Sequence, residues 1–168
     1  MSAERLARAR GFTLVELIVV VAIIAILALV ALPNIQQKLV RDQVVEAAPL
    51  AEIARKPVAQ QWALAKKMPA DNLAAGIPVP EKVVSNLVSS VEIRDGAVHL
   101  TFGNSANAAI SGKVLTFRPA VVEDAPVVPV AWVCAGAAAP KNMVVKGEDR
   151  TTLEPKYLPL NCKPRGGA

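Results

Sequence analysis

The segment RGFTLVELIVVVAIIAILALVAL, residues 10–32, decides the architecture of the chain. From residue 12 onward it is almost entirely apolar, and the arginines Arg5, Arg8 and Arg10 stand before the apolar run. A helix over residues 12–32 would be about 31 Å long at a rise of ~1.5 Å per residue, which matches a bilayer's hydrocarbon core. The segment therefore predicts a membrane-spanning helix whose basic end faces the cytoplasm.

One carboxylate, that of Glu16, lies inside this apolar run. The only other polar side chain between residues 12 and 32 is that of Thr13. An ionisable group in a membrane segment costs roughly 2.5–3.5 kcal/mol on insertion scales, which makes Glu16 a candidate functional residue. A plain membrane anchor is the alternative interpretation. It accounts for the apolar run and the preceding arginines, but not for Glu16 or for the Gly11–Phe12 junction.

The sequence GFTLVE, residues 11–16, resembles the processing site of type IV prepilins. In that family a short basic leader is removed after the glycine, whereas an ordinary secretory signal is cut after its apolar core. The resemblance implies cleavage between Gly11 and Phe12, N-methylation of Phe12, and a role in filament assembly for Glu16. In that role Glu16 pairs with the positively charged N-terminus of a neighbouring copy. The strict match covers about the first third of the chain.

The resemblance divides the chain into three parts. Residues 1–11 are predicted to be a leader, residues 12–33 a transmembrane and assembly helix, and residues 34–168 a periplasmic or surface domain that includes the second half of the long helix. This division implies a single-pass inner-membrane protein before assembly and a cell-surface pilus, or fimbrium, afterwards. The implied partners are prepilin peptidase, the pilus assembly machinery, the inner membrane, and further copies of the chain in a helical filament.

Residues 12–67 are predicted to form one long helix that changes character partway. Beyond the apolar run, small and apolar residues recur at spacings of three and four, as on one buried helix face: Ala51, Ala54, Val58, Trp62 and Ala65. Pro33, Pro49 and Pro57 each lack a backbone donor and crowd the preceding turn, so kinks or local breaks are expected there. We predict a continuous, kinked helix whose stripe lies on a sheet.

Four strand-like runs follow a proline-rich connector at residues 68–80. They are residues 91–93, 98–102, 114–118 and 127–134. The dipeptide Asp95-Gly96 between the first two is a strong hairpin signal, and Pro119 is expected to stop the third. These runs predict an antiparallel meander with one face on the helix and the other toward solvent. His99 falls on the polar phase of its strand and is predicted to be solvated.

Cys134 and Cys162 are the only cysteines in the chain, and both follow the predicted membrane segment. Outside the cytoplasm a disulfide is the default interpretation of two cysteines. Metal binding is the alternative, but two cysteines and one distant histidine provide too few ligands for a zinc site. With the resemblance, the predicted class is an α+β, pilin-like fold. It consists of a long N-terminal helix on a roughly four-stranded antiparallel sheet, with a disulfide-bounded C-terminal loop.

Composition argues against an enzyme. The chain contains one histidine, no glycine-rich phosphate loop and no Cys-x-x-Cys motif, so no catalytic triad, cofactor or metal site is predicted. The acidic pairs Glu123-Asp124 and Glu148-Asp149 are interpreted as solvated turns, with an oxygen-ligand calcium site as the alternative. The formal net charge is +5 over 168 residues, and without residues 1–11 it is +3, from 16 basic and 13 acidic side chains. That excess is too small to imply a nucleic-acid partner by itself.

The leading hypothesis is a structural subunit of a type IV pilus that serves adhesion, twitching motility or DNA uptake. One alternative is a pseudopilin of type II secretion, which shares the N-terminal motif. Another is a minor pilin acting as a DNA receptor, in which phosphate would be contacted by Lys141, Lys146, Arg150 and Lys156. Acidic residues are interleaved with these cations, so a nucleic-acid partner is not favoured.

Overall fold

The computed structural model describes residues 12–164 of the 168-residue chain, without the side chains of residues 30–34. The predicted leader, residues 1–11, lies outside the described part. The chain divides into two compact units, Met1–Gln36 and Gln37–Ala168. The described part of the first unit is helical from residue 14 onward, and the second unit holds the sheet.

Helix α1, Leu14–Ala47, begins at a threonine cap. Thr13 Oγ1 accepts the backbone N–H of Glu16 at 3.2 Å, and the Thr13 carbonyl accepts the N–H of Leu17 at 3.2 Å. Such a cap satisfies one of the N–H groups that the first helical turn leaves without a partner. Pro33 lies within α1 and does not end it.

The helical path continues after α1 with a change of pitch. A 3-10 turn, Ala48–Ala51, contains Pro49, and helix α2 then runs over Glu52–Ala65 with Pro57 inside it. Pro49 has no N–H to give to the α-helical ladder, which fits the single tighter turn at this point. Lys66 ends α2 in the left-handed conformation, at φ 53°. The predicted long helix is confirmed, with one local break.

One face of the two helices packs into the core of the second unit. The buried residues on this face are spaced three or four apart: Val40, Val44, Ala47, Ala51, Ala54, Val58 and Trp62. This spacing keeps them on one side of a 3.6-residue helix. The predicted stripe is confirmed from Ala51 to Trp62. The prediction is wrong for Ala65, which is exposed because α2 ends at that residue.

The sheet is an antiparallel meander in the order β1-β2-β3-β4, as predicted. Its strands are β1 Val88–Arg94, β2 Ala97–Phe102, β3 Val114–Val121 and β4 Ala131–Cys134. Asp95 (φ 49°) and Gly96 (φ 82°) form the two-residue turn between β1 and β2. Two successive positive φ values match the twist of hairpin strands, which explains why this dipeptide is a reliable hairpin signal.

Pro119 does not stop β3, contrary to the prediction, since β3 runs on to Val121. In the ladder between β2 and β3, Val98 pairs with Phe117, and β2 begins only one residue before Val98. Pro119 therefore lies beyond the end of β2, and its missing N–H removes no bond from that ladder.

Two further strand predictions are corrected. β4 starts at Ala131 rather than at residue 127, because residues 125–128 form a turn in which the Val128 N–H donates to the Ala125 carbonyl at 3.0 Å. A fifth strand, β5 (Val144–Val145), pairs with β3 inside the segment predicted to be a disulfide-bounded C-terminal loop. Two residues are too few to show a period in the sequence.

The middle of the sheet face turned away from the helices is covered, not solvated as predicted, while Arg94 at its margin is exposed. His99 on this face is 3% exposed, and Thr116, its partner on β3, is fully buried. The cover comes from the C-terminal loop. Gly147 passes so close to Ala97 that a Cβ atom added to it would lie 2.6 Å from the Ala97 Cβ. The prediction of a solvated His99 is therefore wrong, because alternation indicates the face of a side chain but not what covers that face.

The connector after α2 lies along the free edge of β1 and its turn. The carbonyls of Pro69 and Ala70 accept the N–H groups of Gly96 and Asp95 at 2.9 and 3.1 Å. Further along, the buried side chain of Asn72 bonds the next part of the edge. An open strand edge can pair with other chains, and the connector covers this one.

Cys134 at the end of β4 and Cys162 form a disulfide, with an S–S distance of 2.04 Å and a Cα–Cα distance of 4.7 Å. The predicted bridge is confirmed. It joins residues 28 apart in sequence and closes a loop that contains β5 and a terminal 3-10 turn, Leu160–Cys162. The predicted α+β class, with a long helix, a four-stranded meander and a disulfide-bounded C-terminal loop, is confirmed.

Candidate assembly site

The candidate assembly residues lie at the beginning of α1. Phe12 precedes the helix and Glu16 lies in its first turn, and both side chains are exposed. The Thr13 cap uses the backbone N–H of Glu16 and not its carboxylate. A carboxylate in the first turn also interacts favourably with the positive end of the helix dipole, which stabilises the helix by about 0.3–1 kcal/mol. Gly11 lies outside the described residues.

The N-terminal part of α1 carries large apolar side chains on every side. Thirteen of them are exposed: Phe12, Leu14, Val15, Leu17, Ile18, Val19, Val20, Val21, Ile23, Ile24, Ile26, Leu27 and Leu29. The consecutive positions 17–21 all belong to this set, so the apolar surface extends around the whole circumference of the helix. A helix that is apolar all round has the character of a buried helix.

The predicted membrane span, residues 12–33, includes positions whose side chains lie outside the described part. Among the residues that are described, no helix combines the length and the apolar character needed to cross a membrane.

The basic residues of the C-terminal loop have carboxylate neighbours. Three ion pairs occur there: Lys146–Glu123, Arg150–Glu148 (3.1 Å) and Lys156–Glu154 (2.8 Å). The hydrogen bond that Lys156 donates to the Glu154 carboxylate raises the pKa of Lys156 above its ordinary value. Lys141 takes part in none of the ion pairs found within residues 12–164. Three of the four cations are thus partly neutralised in place, and a DNA contact by these residues stays a prediction.

The same loop is held to α1 through one backbone carbonyl. The carbonyl of Lys156 accepts hydrogen bonds from Gln37 Nε2 at 3.0 Å and from Arg41 Nη2 at 2.7 Å. The guanidinium bond is charge-assisted and hence the stronger of the two. Nearby on α1, Gln43 Oε1 accepts the N–H of Asn107, in the loop between β2 and β3, at 2.9 Å. Polar side chains of the helix thus hold two loops in place, through contacts that the apolar pattern of the sequence does not predict.

The acidic pairs Glu123-Asp124 and Glu148-Asp149 make contacts that are typical of exposed turns. Glu123 and Glu148 are engaged in the ion pairs above, and Asp149 Oδ1 accepts both the N–H and the hydroxyl of Thr151, at 3.0 and 2.6 Å. No group of three or more His, Cys, Asp or Glu side chains placed to hold a metal ion occurs within residues 12–164.

Two family models match different parts of the chain. A model of the prokaryotic N-terminal methylation motif matches residues 6–32, and a model described as pilin (bacterial filament) matches residues 40–163. The chain belongs to the type IV pilin family. The pilin model alone spans the second half of the helix, the whole sheet and both cysteines.

Curated relatives of this pilin match over nearly its full length. It is 34% identical to a type IV major pilin protein of Neisseria gonorrhoeae over 165 residues, which cover 95% of this chain and 89% of that protein. It is 34% identical to a fimbrial protein of Neisseria meningitidis serogroup A, covering 95% of this chain and 96% of that protein. It is 32% identical to the fimbrial protein EcpC of Eikenella corrodens, covering 92% and 90% of the two chains.

Family membership confirms the predicted function at the level of the protein class. The pilin is a structural filament subunit and not an enzyme. Its family implies polymerisation, processing by prepilin peptidase, and a place in a surface pilus. The individual roles of Gly11, Phe12 and Glu16 stay predictions.

Two polar residues of this pilin were not predicted from the sequence. Thr13 caps α1, although Thr-x-x-Glu before an apolar run is a recognised signature of a helix N-terminus. Asn72 bonds Val91 and Ile93, which lie 19 and 21 residues away. No local pattern marks a contact of that sequence separation, so only the fold reveals it.

Proposed function

We propose that this pilin is the major, repeating subunit of a type IV pilus, and that residues 12–33 move from the inner membrane into the filament core during assembly. The observation that carries the proposal is the exposed circumference of α1, which is apolar at every position from Leu17 to Leu29. Burying one Leu, Ile, Val or Phe side chain yields about 1.5–3 kcal/mol, so a helix with thirteen of them strongly favours an apolar environment. Lipid provides it before assembly, and neighbouring helices provide it afterwards.

Cleavage after Gly11 would add a charge to this apolar surface. It creates an α-amine on Phe12, and this amine stays positively charged after N-methylation. A cation entering a helix bundle requires a partner of opposite charge, and Glu16 of a neighbouring subunit is the complementary group. The amine and the carboxylate are different groups, so each subunit offers one contact to the copy on either side. A head-to-tail contact of this kind, when it does not close into a ring, produces an open helical filament.

The charge pair sets the register between subunits more than it adds net stability. Attraction between an amine and a carboxylate a few ångströms apart is large in a medium of low dielectric constant. Removing both groups from water costs a comparable amount, so the net gain is small. Leaving one of them unpaired has no such compensation. An axial shift that separates Phe12 from Glu16 is therefore disfavoured, and a single stagger results.

Several features support the major-subunit role. The similarity to the Neisseria gonorrhoeae and Neisseria meningitidis proteins runs through the C-terminal loop as well as the N-terminal motif, over 95% of this chain in both cases. Those two relatives are a type IV major pilin protein and a fimbrial protein. Adhesion, twitching motility and DNA uptake are the activities we propose for the assembled filament.

Gene deletion combined with mass spectrometry of sheared filaments tests the proposal. We expect deletion to abolish surface filaments, and the main protein of wild-type filaments to be this chain, beginning at a methylated Phe12. Filaments that persist in normal number after deletion would refute the major-subunit role.

A pair of leader variants tests the cleavage site separately. Gly11→Leu should leave residues 1–11 attached, since the glycine precedes the bond that is cut, whereas Ala9→Leu, two residues away, should be processed normally. The measurement is the intact mass of the membrane-extracted protein. Normal processing of Gly11→Leu would move the cleavage site elsewhere.

A further inference from the structure

Residues 146–152, here called the strap, cross the sheet face that is turned away from the helices. At one end the Lys146 N–H donates to the Pro119 carbonyl at 2.8 Å. At the other end the Thr152 N–H donates to the Val114 carbonyl at 2.9 Å, and Thr152 Oγ1 accepts the Val114 N–H at 2.8 Å. Between these ends Gly147 lies against β2. The strap therefore contacts both ends of β3 and passes over β2.

The only histidine of the chain lies beneath the strap. His99 is paired across the sheet with Glu92 on β1 and Thr116 on β3. Its Nδ1 lies 3.0 Å from Thr116 Oγ1, and the same oxygen accepts the backbone N–H of Arg150 from the strap at 3.1 Å. One threonine hydroxyl thus joins the imidazole to the strap.

This arrangement fits a neutral imidazole. Because Thr116 Oγ1 accepts the Arg150 N–H, its own hydrogen can be donated to His99 Nδ1, which must then carry no proton. The other ring nitrogen, Nε2, is buried and has no hydrogen-bond partner within residues 12–164. Protonation would put a hydrogen on Nδ1, so that the Thr116 hydroxyl would lose the acceptor of its own hydrogen, and it would place a full charge in this buried site.

We propose that His99 is a pH-sensitive latch: its neutral form lets the strap lie on the sheet, and its protonation below neutral pH releases the strap.

The charges around the latch favour the neutral form. The charged groups that act on His99 are Glu92 and Arg94 from β1 and Asp149 and Arg150 from the strap. Arg118, two residues beyond Thr116 on β3, donates to the Ala135 carbonyl at 3.0 Å. Burial lowers the pKa of His99 below its ordinary value, and the nearby Arg150 lowers it further, against the opposing effect of Glu92. Glu92 is itself bound to Arg94 at 2.6 Å, which reduces its ability to stabilise an imidazolium.

The sign of the pH dependence follows. A histidine whose pKa is lowered by folding contributes stability that is fully present above its unfolded pKa of about 6.5 and is lost as the pH falls toward the folded value. If strap opening restores the ordinary pKa, the open fraction at pH 5.0 rises by up to about thirty-fold over its value at neutral pH.

The release is local, because both ends of the strap remain tied to the fold. The Cys134–Cys162 disulfide closes the loop that contains the strap, and the pairing of β2 with β3 does not involve it. Release therefore exposes His99 and Thr116 and frees the charged side chains of the strap, while the helix and the meander stay folded. Such a transition is a local opening rather than unfolding.

The test uses the full chain in detergent micelles, with its disulfide intact. Hydrogen exchange of strap peptides is compared at pH 7.5 and 5.0, with each rate divided by the intrinsic rate at that pH. We expect strap protection to be lower at pH 5.0 than at pH 7.5, by up to about thirty-fold, while the protection of peptides from α2 does not change. The variant His99→Gln, which cannot take up a proton, should lose this pH dependence. Equal pH dependence in His99→Gln and wild type would overturn the latch, as would unchanged strap protection in wild type.

A second measurement does not depend on the variant folding. With one histidine in the chain, isotopic labelling of histidine gives a single imidazole signal, whose titration reports His99 directly. We expect a pKa below 6.5 and a neutral ring protonated at Nε2. A pKa at or above 6.5, or a neutral ring protonated at Nδ1, contradicts the proposal even if His99→Gln does not fold.

Discussion

The side-chain amide of Asn72 meets the backbone of Ile93 in the way that another strand would. Its Oδ1 accepts the Ile93 N–H at 2.6 Å, and its Nδ2 donates to the Val91 carbonyl at 2.9 Å. Nδ2 also donates to the Pro78 carbonyl at 2.9 Å, so all the bonds hold a buried side chain in one orientation. One side chain from the connector thereby occupies the free edge of β1, and satisfies two strand groups that would otherwise be buried without partners.

Replacement of Asn72 by alanine should destabilise the second unit. The substitution leaves the Ile93 N–H and the Val91 carbonyl without partners, and a buried unsatisfied group costs about 1–3 kcal/mol. We expect a loss of roughly 2–4 kcal/mol in the free energy of unfolding, since two buried strand groups lose their partners and the connector can relax. Both tryptophans, Trp62 and Trp132, lie in the second unit, so fluorescence during urea unfolding in detergent reports it.

The control is Asn86→Ala. Asn86 is exposed, and surface substitutions of this kind usually change stability by less than about 0.5 kcal/mol. Equal urea midpoints for Asn72→Ala and Asn86→Ala would contradict this prediction. They would mean that the hydrogen bonds of Asn72 in the folded chain add no stability over its hydrogen bonds with water in the unfolded chain.

Two adjacent valines on α1 provide a test of the helix stripe. Val44 is fully buried in the core, whereas the next residue, Val45, is 51% exposed. Val44→Ala removes two buried carbons and leaves a cavity, and at about 0.8 kcal/mol per methylene plus the cavity term the loss is about 2 kcal/mol or more. Val45→Ala should cost less than ~0.5 kcal/mol, because alanine also has the higher helix propensity. Similar losses in the two variants would place the stripe on another face.

Elements whose determinants lie within a few residues were predictable from the sequence. The dipeptide Asp95-Gly96 specifies the hairpin because its two positive φ values suit these residue types. The stripe from Ala51 to Trp62 follows from the helical period, and the disulfide from the presence of only two cysteines. The N-terminal motif was predictable for the same reason, since it is contiguous.

Features that depend on distant segments were not predictable. The burial of His99 requires the strap, which lies about 50 residues further along the chain and has no period of its own. The contact between Arg41 and the Lys156 carbonyl spans 115 residues and ends on a backbone atom, which any residue type would offer. Such contacts are products of the fold rather than of a local pattern.

Removal of the disulfide should lower the stability of the second unit substantially. In the chain-entropy model a bridge between residues 28 apart contributes roughly 3–4 kcal/mol by restricting the unfolded chain. We expect the double variant Cys134→Ser, Cys162→Ser to unfold at a correspondingly lower urea concentration, with the C-terminal loop the first part to lose exchange protection. Reductant should bring the wild-type midpoint toward that of the variant and leave the variant unchanged. An effect of reductant on the double variant would point to a different cause.

Glu16→Gln should yield a processed, membrane-held subunit that does not assemble. Glutamine keeps the size of the side chain and leaves intact the cap on α1, which uses the backbone N–H. The lost interaction with the helix dipole is worth only about 0.3–1 kcal/mol. Leaving a buried Phe12 amine unpaired would cost about 3–5 kcal/mol, or roughly 10²–10⁴-fold in each subunit contact, so the second effect decides the outcome. We expect almost no sheared filament by electron microscopy and immunoblot, with normal amounts of mature protein in the membrane fraction.

Glu46→Gln, which removes an exposed carboxylate from the same helix, should form filaments at the wild-type level. Abundant filaments from Glu16→Gln would show that the apolar surface alone drives assembly, and would leave the stagger between subunits to contacts of the second unit.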